Sequence, residues 1–175
     1  MRIELKPMPA AAEGVAVGTL DGRPLVYVGR TAHVDGQPLS HGDIAEALAD
    51  AVDRAASELL GGEWSKPLAL VTGLNPRTCN RDRIRQWGLP AWVLVMLGQA
   101  TQQYQPRALG HMMQAVSIMR MHSAPLSRGD RRSALGEAVD PEGWPLRLLD
   151  LATDWADLAK EERRKATLAR EETKP

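Results

Sequence analysis

The sequence predicts an α+β fold, mostly α: a small N-terminal antiparallel β-meander packed on a helical bundle, with a C-terminal helical arm. Three observations predict it. Short apolar runs punctuated by Asp-Gly pairs fill residues 1–40. Apolar residues recur at helical spacing from Ile44 onward. Past Lys160 the chain is mostly charged and almost nothing is apolar, as a solvated helical extension would be.

Within residues 1–40, Arg2–Leu5 alternates weakly between polar and apolar. Val15–Leu20 runs into Asp21-Gly22, and Pro24–Val28 forms the partner strand of that hairpin. Asp35-Gly36 signals a second turn, so three or four short strands are expected. A sheet this small has to lean on a helix to bury its apolar face.

Residues 41–122 read as the bundle. Ser40 is placed to cap its first helix, with Asp43 three positions on. Ile44, Leu48, Val52, Ala55 and Leu59 share one face; Asp43, Glu46, Asp50 and Asp53 line the other. Gly61-Gly62 ends this helix. Pro106 can open a later one, Arg107–Met121, with Leu109, Met112, Val116 and Met119 on its apolar stripe. Residues 123–143, rich in Ser, Pro, Gly, Asp and Arg, read as a loop. Residues 144–175 read as a last helix, carrying Leu148, Leu151, Ala152, Trp155 and Leu158, and a charged tail.

Composition bounds the function. A chain of 175 residues fits one domain, or a domain plus an appendage. Lys plus Arg equals Asp plus Glu at 22 each, which argues against a charge-driven nucleic-acid coat and leaves room for a local basic patch. The single cysteine, Cys79, excludes an intramolecular disulfide and a multi-cysteine zinc site, and a free thiol fits a reducing compartment. The first residues hold no signal-like apolar stretch. The longest apolar run, Leu89–Gly98, falls short of the roughly 20 residues a membrane helix needs. A cytoplasmic location without membrane contact is the expectation.

Residues 66–86 carry the strongest functional signal. A helix-turn-helix needs a small residue where its helices cross, Gly at the turn and an apolar plug after it. Ala69, Gly73 and Leu74 fill those positions, and Cys79 sits one turn further on. Asn75 can cap the second helix, and Pro76 suits its first position. Arg and Asn side chains can bond guanine and adenine edges bidentately.

The run Leu68–Thr78 resembles the helix-turn-helix of the lambda-repressor-like DNA-binding regulators, with Pro90-Ala91-Trp92 opening a closing helix; the likeness covers residues 66–98. It implies that Asn75, Arg77, Thr78, Asn80 and Arg81 read bases, that Lys66, Arg83 and Arg85 hold phosphates, and that Leu68, Leu74 and Trp92 are core. One position departs from the pattern. Three residues after Cys79 the family presents an apolar side chain, and here stands Asp82.

Catalytic signals are missing from the sequence. His33, His41, His111 and His122 lack metal-ligand spacing, and no phosphate-loop, dinucleotide or nucleophile-elbow motif occurs. A buried structural role suits Cys79 better than a nucleophilic one. The expectation is therefore a protein that is not an enzyme and uses no cofactor or metal. The leading reading is a DNA-binding transcriptional regulator of bacterial or phage type, with a homodimer matching palindromic sites. The alternative is an assembly or adaptor protein, a phage morphogenesis factor or subunit of a larger complex. Its partner would be held through Met113 and Met121, which lie off the core stripe, and through the C-terminal helix.

Overall fold

Five short strands open the chain: β1 (Ile3–Leu5), β2 (Val15–Leu20), β3 (Arg23–Val28), β4 (Thr31–Val34) and β5 (Gln37–Leu39). In this computed structural model each pairs antiparallel with its neighbour in sequence, giving one sheet of order β1-β2-β3-β4-β5. The structure describes residues 1–122, with side chains through Ile118. The expected loop, C-terminal helix and tail lie outside the described residues, and so does the side chain of Met121, expected as a contact residue.

Turn chemistry sets the register. Asp21 and Gly22 both hold positive φ (48° and 83°), as do Asp35 and Gly36 (52° and 77°). Two consecutive residues of positive φ make the tight turn whose twist matches antiparallel strands. Leu20 therefore faces Arg23, and Val34 faces Gln37. The second Asp-Gly thus forms a complete hairpin, which raises the strand count to five. Ile3, Leu5, Leu20, Leu25, Tyr27, Ala32 and Val34 are buried.

Five helices follow: α1 (His41–Leu60), α2 (Ser65–Thr72), α3 (Arg81–Trp87), α4 (Ala91–Thr101) and α5 (Pro106–His122). The α+β class is as the sequence predicts. The expected face of α1 is buried along its whole length: Ile44, Leu48, Val52, Ala55 and Leu59. Ser40 does cap it, accepting from the Gly42 amide. α1 touches β1, α2, α3 and α4, which makes it the central rod of the core. Its Arg54 Nη2 donates to the Ile3 carbonyl at 2.7 Å, tying helix to sheet. α4 covers β1 and β2 with Val93, Leu94, Leu97 and Ala100 buried beneath it.

α5 meets α1 at Gly110. A Cβ built there would stand 1.9 Å from the Leu59 carbonyl oxygen, so only hydrogen fits. Arg107 Nη2 donates to the Ser57 carbonyl at 2.7 Å beside this crossing. Leu109 and Met113 pack against the core from the inner side of α5.

That packing corrects the stripe expected for this helix. Met113 faces inward and Met112 outward, at 46% exposure. Residues 109 and 113 are four apart and share a face once Gly110 fixes which side meets α1. Spacing alone could not choose between 109/112 and 109/113.

Candidate functional site

The segment 65–87 holds the residues expected to meet DNA. α2 ends at Gly73, which adopts the left-handed conformation (φ 70°) and donates its amide to the Ala69 carbonyl. This matches the expected turn glycine. Eight residues, 73–80, then separate α2 from α3, where a helix-turn-helix uses a turn of three or four. The second helix therefore starts at Arg81 and not at Pro76.

Two asparagines compete to start that helix, and the second one wins. Asn75 Oδ1 accepts from the Arg77 amide at 2.9 Å, closing a local turn. Backbone bonds from Thr78 to Asn75 and from Cys79 to Pro76 continue it as tight i→i+3 turns. The chain then extends at Asn80, whose side-chain oxygen accepts from the Arg83 amide at 2.9 Å, the bond of an N-cap. Asp82 lies in the first turn, where a negative charge suits the helix dipole. The position that departs from the family pattern is thus a first-turn acid of a helix that begins later.

Each expected base-reading residue can now be placed. Asn80 uses its oxygen on Arg83 and its nitrogen on the Arg77 carbonyl. Both ends of its amide are thus tied to its own backbone. Arg81 reaches back to α1 and pairs with Asp50, with Asp53 at 3.4 Å and with Glu46 at 3.6 Å. Asn75, Arg77 and Thr78 lie in the turns, Arg77 exposed and Thr78 half-buried. Of the expected phosphate contacts, Arg85 forks onto Glu46 at 2.6 and 2.7 Å. Arg83 bonds Gln86 on its own helix, and Lys66 is exposed near the start of α2.

The ion pairs on α1 are a built structure. Asp53 also accepts from Trp64 Nε1 at 2.9 Å, so one carboxylate links α1 to both α3 and the start of α2. His41 Nε2 donates to the Arg85 carbonyl at 2.8 Å from the other end of α1. The hydrogen bond from Arg85 holds the Glu46 carboxyl below its ordinary value of 4.5, and Glu46 in turn raises Arg85. Beneath this network Ile84 and Cys79 are fully buried. Burial pushes the Cys79 thiol up from its ordinary value, opposed by a weaker hydrogen bond to Thr72. A buried, protonated thiol is a core group, as the sequence suggests.

A different surface emerges between α4 and α5. Trp92, expected in the core, is 51% exposed. The helix it opens buries the neighbouring Val93 and Leu94 instead. From Trp92 an open groove of about 870 Å³ runs over Val95, Met96, Ala100, Leu109, Met112 and Met113 to Tyr104, itself 94% exposed. Gln99, Gln103 and Gln105 edge it. Not one lining residue is charged, although a quarter of the chain is. Of this lining, sequence reasoning named Met113 as a partner contact and missed the rest, because a stretch such as Ala91–Thr101 is apolar nearly all round. A helix of that kind gives no periodic signal for which side faces out.

Among the described residues, no cluster of three His, Cys, Asp or Glu side chains could hold a metal ion, and no helix is long and apolar enough to cross a membrane. No protein-family model, curated protein or solved structure matches this chain.

Proposed function

We propose that this protein is a non-enzymatic adaptor or assembly factor that binds another protein chain through the α4–α5 groove. One observation carries the reading: a charge-free apolar groove, rimmed by a half-exposed tryptophan and a projecting tyrosine, on a chain otherwise rich in charge. Exposed aromatic and methionine side chains beside uncharged amides are the composition of a protein-binding centre. The arginines that would otherwise favour nucleic acid support this choice, because Arg81 and Arg85 are paired with acids of α1.

A photo-cross-linking residue placed at position 92, in cells that make the protein, tests the reading. A protein adduct should form there, and none from Thr31, exposed on β4. Absence of any adduct at 92 would refute it.

A second reading, DNA contact, draws on Lys66, Arg77 and Arg83, which are exposed and pair with no carboxylate among the described residues. Duplex DNA retained at low salt, and released by Lys66→Ala with Arg77→Ala, would establish that reading.

A further inference from the structure

We draw no further inference here: the strongest candidate, the open apolar groove between α4 and α5, is the surface already read as a protein-binding site, and nothing in the structure shows what covers it.

Discussion

Tyr27 shows how single residues are held in this core. Its ring is buried on the inner face of the sheet, and no described residue bonds its hydroxyl. Burial pushes its ionisation up to about 12 from an ordinary 10.0. The neutral form is therefore favoured by folding, so this stabilisation is complete below pH 10 and is lost as pH rises toward 12. Removing the hydroxyl removes a desolvation cost with no bond to set against it. Tyr27→Phe should leave stability unchanged or raise it by about 1 kcal/mol, read from chemical denaturation midpoints. The alkaline loss of stability should shrink in the same variant.

Position 110 carries the opposite lesson. Gly110→Ala places a methyl carbon against the Leu59 carbonyl, and backbone cannot move aside as a flexible side chain can. The cost should be about 1–3 kcal/mol, with α5 displaced from α1. A fall in melting temperature, together with faster amide exchange in α5 than in α1, would verify it.

At the scale of elements, α3 is attached by a buried plug and a polar clasp. Ile84 enters the core while Arg81 and Arg85 grip the acids of α1. The pairs are partly exposed, so water screens them. Arg81→Met should cost only about 1 kcal/mol by denaturant titration, far less than a fully buried pair would. Glu46 ionises below its unfolded value, so its contribution is present above pH 4.5 and fades as pH falls through its lowered folded value. Arg85→Met should remove that acid-dependent component, and unchanged acid sensitivity in that variant would contradict it.

Elements also differ in how far the sequence discloses them. α1 was legible because capping residue, apolar period and terminal glycines all agree on one span. The hairpins were legible because Asp-Gly dictates its own turn. α3 was misplaced by five residues because Asn75-Pro76 and Asn80-Arg81 are both acceptable helix starts. The choice falls to the second once Arg81 and Arg85 meet Glu46, Asp50 and Asp53, and those acids come from a helix more than 25 residues upstream. Acid at every third or fourth position of α1 was visible, but its partner was not. The groove was illegible for a related reason. α4 is apolar nearly all round, and the face that α5 turns inward is decided at Gly110, which local pattern does not encode.

For the whole molecule, zero formal net charge and a charge-free groove set the response to salt. Association through apolar surface should hold or strengthen in sulfate, because excluded salts favour burial. Retention on nucleic acid would weaken steeply over the same range. Sedimentation of the chain with its captured partner, and with duplex DNA, in rising sulfate separates the two behaviours.

The strand order has a consequence for synthesis. Every strand in the sheet pairs only with the strand just before or after it, and all five lie ahead of α1. No strand must wait for a distant segment to arrive, so the meander can be threaded in register while the rest of the chain is still in the ribosome. Its oily underside stays uncovered until the twenty residues of α1 emerge. A nascent chain stalled with residues 1–40 outside the ribosome and α1 still inside should therefore recruit chaperones, and one long enough to release α1 should shed them.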